Sequence, residues 1–365
     1  MRKILLSTAA LLAMGTGLAH AQIKIGMAGP LSGTNAAFGV EQQNGFQLAV
    51  NDINKAGGVL GQKLVPVVED DACSPTQAVT VAKKLVADGV VMVDGHFCSA
   101  ATIPASAVYT AAKIIEISPA STNPAYTEQG SPYTFRVCGR DDQQGQVAAQ
   151  YIAEYEAHAK IAIIDDGSTY GKGIADQVRK GLKTFGLPVV FNGTYTPGTK
   201  DFSALIAQLQ KSGATLVYMG GYYNDMGQIM LQGAAKGFTP QYMSEDAAVT
   251  DDLWKLAGTA AEGMLMTFPP PAEKNPAAAK VVAELAALKE DPSGYVLYSY
   301  AAVQIWAEAA QKAGTVDPTK VAAELKSAGP WNSVLGPITF DDKGDVQDAL
   351  YVMYKWHDGK YAIAN

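Results

Sequence analysis

The feature that most constrains this chain is a rhythm of short apolar runs, each the length of a buried strand, alternating with helix-length segments. The order from Ile23 is strand 23–27, helix 39–56, strand 64–69, helix 75–88, strand 90–94, a helix starting near Ser99, and strand 114–118. Gly57-Gly58 ends the first helix and Pro75 opens the second, each at a position that residue type favours. Strands and helices in strict alternation predict an α/β fold, with a parallel sheet covered by helices on both faces.

Past Arg140 the rhythm restarts with helix 143–155, strand 161–165, helix 172–185, strand 189–195, helix 202–211, strand 216–219, helix 225–236 and strands 241–244 and 264–268. The two units share no sequence repeat, so any kinship between them lies in the fold. Pro269-Pro270-Pro271 continues neither strand nor helix and reads as a hinge or crossover. Helices 277–289, 295–312 and 318–326 follow, and the uncovered face of the first unit is available to them. Segments 337–341 and 349–356 read as two antiparallel strands joined around Asp342-Lys343-Gly344-Asp345. At 365 residues the chain exceeds what one core usually holds, so two domains are expected.

The first residues, Met1-Arg2-Lys3, an apolar stretch over 4–18 and Ala19-His20-Ala21, have the form of a secretory signal peptide cleaved after Ala21. The residue immediately after that point is Gln22 and not a cysteine, so a soluble exported protein is expected rather than a lipid-anchored one. The formal net charge is −7 and there is no basic cluster, which argues against nucleic-acid binding.

Chemistry concentrates at two strand ends. Gly95-His96-Phe97-Cys98-Ser99 joins a strand to a helix start, where backbone N–H groups have no partner within the helix and the peptide dipoles carry partial positive charge. The next strand runs into Pro119-Ala120-Ser121-Thr122-Asn123-Pro124. Hydroxyls at the carboxyl ends of neighbouring parallel strands suit an anion, and Ser99 and Thr122 are read as gripping one carboxylate. Either residue alone would be explained as an ordinary helix cap. Cys73 and Cys98 each follow a strand; if those strands are neighbours in a parallel sheet, both sulfurs lie at one edge and a disulfide follows. Cys138 is left unpaired and buried.

With these pieces placed, the chain resembles the periplasmic branched-chain amino-acid binding proteins, the type I solute receptors of ABC importers. The resemblance spans essentially all of the sequence after residue 21 and rests on Ala28-Gly29-Pro30-Leu31-Ser32-Gly33, Asp70-Asp71-Ala72-Cys73, Gly95-His96-Phe97-Cys98-Ser99, Tyr170-Gly171, Gly220-Gly221-Tyr222 and Asp291-Pro292-Ser293-Gly294. It implies two doubly wound parallel-sheet lobes joined by three crossovers, one lobe made of 22–141 plus 270–353 and the other of 142–269 plus 354–365. It also implies a monomer in the periplasm that binds an amino acid between its lobes, without cofactor or metal, and hands it to an inner-membrane permease.

Carried over position by position, the family's carboxylate seat matches Ser99 and Thr122, and the backbone carbonyl that takes the ammonium matches Ala120. The acidic partner of the ammonium falls in Tyr242-Met243-Ser244-Glu245-Asp246; gapless placement gives Asp246, with Glu245 adjacent. A helix cap is the other reading of Asp246. Aromatic residues that wrap the ligand side chain match Phe38, Phe97, Tyr170 and Tyr222, with Tyr295 as a fifth. Phe97 stands where leucine-binding members often carry an aliphatic residue, which takes space from the pocket and favours compact ligands such as alanine, valine, proline or γ-aminobutyrate.

Other function classes fare worse. Gly167-Ser168-Thr169-Tyr170-Gly171-Lys172-Gly173 fails the spacing of a phosphate loop, and no nucleophile elbow or H-E-x-x-H is present. His96 could activate Ser99 as in a serine hydrolase, but no Asp or Glu is evidently placed to orient its imidazole. His96 and Cys98 lack a second pair at metal-ligand spacing. A sensory module that docks on a receptor instead of a permease remains open.

Overall fold

The computed structural model describes residues 22–364, so the expected signal peptide falls outside it. The first unit runs β1 (Ile23–Gly29), α1 (Ala36–Lys55), β2 (Leu64–Asp70), α2 (Pro75–Asp88), β3 (Met92–Gly95), α3 (Ser99–Ala112), β4 (Ile115–Ser118) and β5 (Thr134–Arg136). The second runs α4 (Asp141–Tyr155), β6 (Ile161–Asp165), α5 (Thr169–Thr184), β7 (Val189–Thr194), α6 (Ser203–Ser212), β8 (Leu216–Gly220), α7 (Tyr223–Ala235), β9 (Gln241–Ser244), α8 (Asp251–Ala257) and β10 (Leu265–Phe268). The chain then adds α9 (Ala279–Leu288), α10 (Val296–Ala313), α11 (Pro318–Ser327), β11 (Trp331–Ser333), β12 (Gly336–Ile338), β13 (Val352–His357) and β14 (Lys360–Ile363).

Two sheets result. The first is parallel, in the order β2-β1-β3-β4-β5. The second contains the parallel series β7-β6-β8-β9-β10, extended by antiparallel β13 and β14. Each parallel series has its first strand second in line, so each has a switch point where the winding reverses, between β1 and β3 and between β6 and β8. Open α/β sheets bind ligands beyond the carboxyl ends of such strands. The kinship of the halves therefore lies in strand order. Helix α10 packs on α1 and β3, and α11 on α10, so the helices after the triple proline do return to the first sheet.

Three expectations need correction. Strands β2 and β3 are not neighbours, because β1 lies between them; the Cys73–Cys98 disulfide forms nonetheless, with a Cα–Cα distance of 5.4 Å, because both cysteines follow strand ends at the same edge. The pairing of 337–341 with 349–356 does not form: β12 pairs with β11, and β13 pairs with β10 and β14. The turn between them is fastened elsewhere, since Asp341 accepts from the amides of Lys343, Gly344 and Asp345 while Asp345 bridges Arg136 and Arg140 at 2.6 Å each. Finally, Val352 and Met353, assigned to the first lobe by the resemblance, already pair with Phe268 and Thr267 in the second sheet.

Candidate functional site

The loops at the carboxyl ends of β3 and β4 build the first wall of a cleft. Cys98 caps α3, so Ser99 opens the helix, and among the described residues the amides of Ser99, Ala100 and Thr122 donate to no protein acceptor. The Ser99 hydroxyl accepts from the Asn123 amide at 3.3 Å, and the Thr122 hydroxyl has no partner. Both residues are buried. Free amides, two hydroxyls and the positive end of a helix form a neutral seat for an anion. Ala120, also buried, lines the same cavity.

The second sheet supplies the opposite character. Asp246 starts a single 3-10 turn after β9 and is 3% exposed. One of its oxygens accepts from the Tyr170 hydroxyl, and the other from the Tyr295 hydroxyl at 2.5 Å. Burial pushes its carboxyl above the ordinary range, and the two tyrosine hydrogen bonds oppose that rise. No basic side chain among the described residues bridges it. Glu245 points away: its oxygens accept from the Gly221 amide at 3.0 Å and the Ser244 hydroxyl at 2.9 Å. Of the two adjacent acids, Asp246 is the one that faces the cleft.

Aromatic rings close the remaining sides. Tyr170 and Tyr222 lie 5.3 Å apart between centroids, and Phe97 meets the Tyr295 ring edge at 4.8 Å. Together with Ser99, Ala120, Asp246 and Ala247 they enclose a tight cavity of about 10 Å³. Phe38 does not line it; it is fully buried in the first turns of α1 and stacks behind Phe97 at 5.0 Å. Thr122 likewise is not among the residues that line it. The two sheets' loops also touch directly, through Asn123 Nδ2 to the Thr169 carbonyl at 2.8 Å and the Tyr223 hydroxyl to the Thr34 carbonyl at 3.1 Å. A larger pocket of about 510 Å³ lies beside the triple proline, lined by Pro269, Pro270, Pro271 and Tyr298.

A family profile described as periplasmic binding protein matches residues 22–360. The chain belongs to the periplasmic binding protein family. It is 46% identical to Leu/Ile/Val-binding protein homolog 1 of Brucella suis, with 99% of both chains covered. It is 44% identical to the leucine-specific-binding protein of Salmonella typhimurium over 97% of this chain and 96% of that one. Among solved structures it superposes with a TM-score of 0.85 on the branched-chain amino acid transporter substrate-binding protein LivJ of Streptococcus pneumoniae in complex with isoleucine. That pair is 28% identical, with 93% of this chain and 98% of the other covered.

Within this family member the histidine beside the seat has an orienting acid after all, contrary to the reading of the sequence. His96 is fully buried, with Nδ1 2.6 Å from Asp71 Oδ2 and Nε2 3.0 Å from the Tyr109 hydroxyl. Asp71 lies 25 residues upstream and reaches His96 only because β1 sets the ends of β2 and β3 on one edge. Tyr109, not Ser99, takes the second nitrogen, so the imidazole cannot serve Ser99 as a base. Cys98 is committed to its disulfide and His96 to these two partners, which removes both as metal ligands. Among the described residues one other group has ligand spacing, the exposed Glu262, His357 and Asp358 on a surface turn away from the cleft.

One buried group beside the cleft escaped the sequence reading. Asp141, the first residue of α4, is buried with both carboxylate oxygens unpartnered. The free amides at the start of α3, expected from the sequence, are joined by that of Thr122.

Proposed function

We propose that this protein is the extracytoplasmic receptor of an ABC importer, which captures a small amino acid in the cleft and delivers it to a membrane permease. The observation that carries the reading is the contrast between the two walls: neutral hydroxyls and free amides on one, a single buried carboxylate without a cation on the other. A zwitterion satisfies both at once, its carboxylate on Ser99 and Thr122 and its ammonium between Asp246 and the Ala120 carbonyl, since a buried charge needs a partner. The names of the relatives, for leucine, isoleucine and valine, support the same class. In this reading the lobes are 22–141 plus 270–353 and 142–269 plus 354–365, adjusted at Val352, and the protein works as a periplasmic monomer without catalysis. A ligand that touches both lobes stabilises the closed form, which is what a permease can distinguish.

Within that class we place the ligand among compact amino acids. Phe97, backed by Phe38 and set against Tyr295, fills the side of the cavity where an aliphatic chain would extend. Isothermal titration with leucine, isoleucine, valine, alanine, proline and γ-aminobutyrate tests both levels. No binding by any of them sinks the receptor reading, and leucine binding tightest sinks the compact-ligand refinement alone.

A further inference from the structure

Three buried side-chain oxygens lie together where the chain first passes from one sheet to the other: Thr122 Oγ1 and both carboxylate oxygens of Asp141. None has a hydrogen-bond partner. The two residues are neighbours through the backbone, the Asp141 amide donating to the Thr122 carbonyl at 2.9 Å. On the other side stands α5, where a methyl built on Gly173 would come within 3.6 Å of Asp141 Oδ2. Closure of the cleft thus seals this carboxyl from water.

An ionised carboxylate in such a place would be an unpaired buried charge. The cation acting on it among the described residues, Arg136 on β5, is committed to Asp345, Thr127 and the carbonyls of Ser121 and Asn123. The other groups facing it are acids, Asp142 beside it and Asp246 and Glu245 beyond β9, and the hydroxyls of Tyr170, Tyr218, Tyr222 and Tyr351. Burial pushes Asp141 up to about 8, with Thr122 opposing the rise and the Asp246 charge adding to it. Near neutral pH the group is therefore a neutral acid with a proton to donate.

We infer that Asp141 is a positioning residue for the ligand: in the bound form it donates its O–H to Thr122 Oγ1, an atom without a partner in the ligand-free structure, leaving the Thr122 hydroxyl proton free to donate to the ligand's carboxylate. An ionised Asp141 would instead accept that proton and set a negative charge behind the seat. The inference rests on the amino-acid reading of the cleft and adds a proton requirement to it. The sign follows: the donation is present while Asp141 holds its proton and is lost as pH rises through about 8.

The test is titration calorimetry with L-alanine, or L-leucine where that binds more tightly, on wild type and Asp141→Asn between about pH 6 and about pH 9.5. The Asn amide donates to Thr122 at every pH. Titration of the ligand's ammonium, of Glu41 and of other shared groups cancels in the ratio of the two dissociation constants. That ratio, wild type over variant, is expected to stay near its neutral value below pH 7 and to climb toward about tenfold per pH unit above pH 8. A constant ratio with tight binding overturns this inference alone; no binding by wild type at any pH overturns the ligand reading and this inference with it. Should Asp141→Asn not fold, wild type is titrated near pH 8.5 in two buffers of different ionisation enthalpy. Uptake of about a quarter of a proton or more on binding supports the inference, and no uptake overturns it.

Discussion

Asp246→Asn is the substitution that separates a ligand-binding carboxylate from a structural one. The side chain keeps its shape, and an amide can still accept from one tyrosine and donate to the other, so the Tyr170 and Tyr295 contacts survive. What it loses is charge, and no basic side chain among the described residues bridges Asp246 in its place. Removing one partner of a buried ion pair costs about 3–5 kcal/mol, which at about 1.4 kcal/mol per tenfold is a loss of roughly a hundredfold to a few thousandfold in affinity. Stability should change little, because a buried carboxyl raised above its ordinary range contributes no favourable charge pairing to the ligand-free fold. The pH dependence has a defined sign. The bound ammonium holds Asp246 ionised, so binding is strongest above the ligand-free pKa and weakens as pH falls through it; the variant lacks this acid limb. Titration calorimetry at neutral and mildly acidic pH, with thermal melting as the control for folding, reads all three. An affinity within about threefold of wild type would refute the assignment.

Phe97→Val opens the side of the cavity now filled by the ring and should move the preference toward leucine. The ratio of leucine to alanine dissociation constants should fall by about tenfold or more, from a packing term on the order of 1–3 kcal/mol; competition titration measures it. Cys73→Ser should lower unfolding stability by about 3.5 kcal/mol, from the closure entropy of a loop with 25 residues of sequence separation. It should also weaken ligand binding, because Cys98 precedes Ser99; urea titration with and without reductant checks the first part. His96→Ala leaves Asp71 Oδ2 buried without its hydrogen-bond partner, while Oδ1 keeps the Cys73 amide, and should cost about 1–3 kcal/mol of stability. Neither it nor wild type should hydrolyse a chromogenic ester; esterase activity in wild type that His96→Ala abolishes would reopen the hydrolase reading.

What was legible in the sequence was what local pattern controls. The strands of both parallel series except β5 lie within a residue or two of where apolar runs placed them. A strand-end position then pointed to Ser99, and the family resemblance to Tyr170, Tyr222 and Asp246, before any coordinates. β5 was missed because three residues ending on the buried Arg136 carry no periodicity, and the carboxylate that pairs that arginine, Asp345, lies more than two hundred residues away. The terminal hairpin was misread for a related reason: β13 is recruited by β10, and the turn at Asp341 is tied to Arg136 and Arg140, partners that sequence proximity does not reveal. Phe38 looked equally suited to pocket or core, and only its stacking behind Phe97 decides for support. The Asp71–His96 contact and the partnerless Asp141 belong to the same class, since they exist only once parallel strands bring their ends together.

The central claim is that one zwitterion spans the two walls in a fixed direction. A crystal structure of the protein with its tightest-binding amino acid tests this most directly. The account predicts density in the cleft with the carboxylate against Ser99 and Thr122 and the ammonium against Asp246 and the Ala120 carbonyl. A ligand bound the other way round, or bound elsewhere with the cleft unfilled, would contradict it.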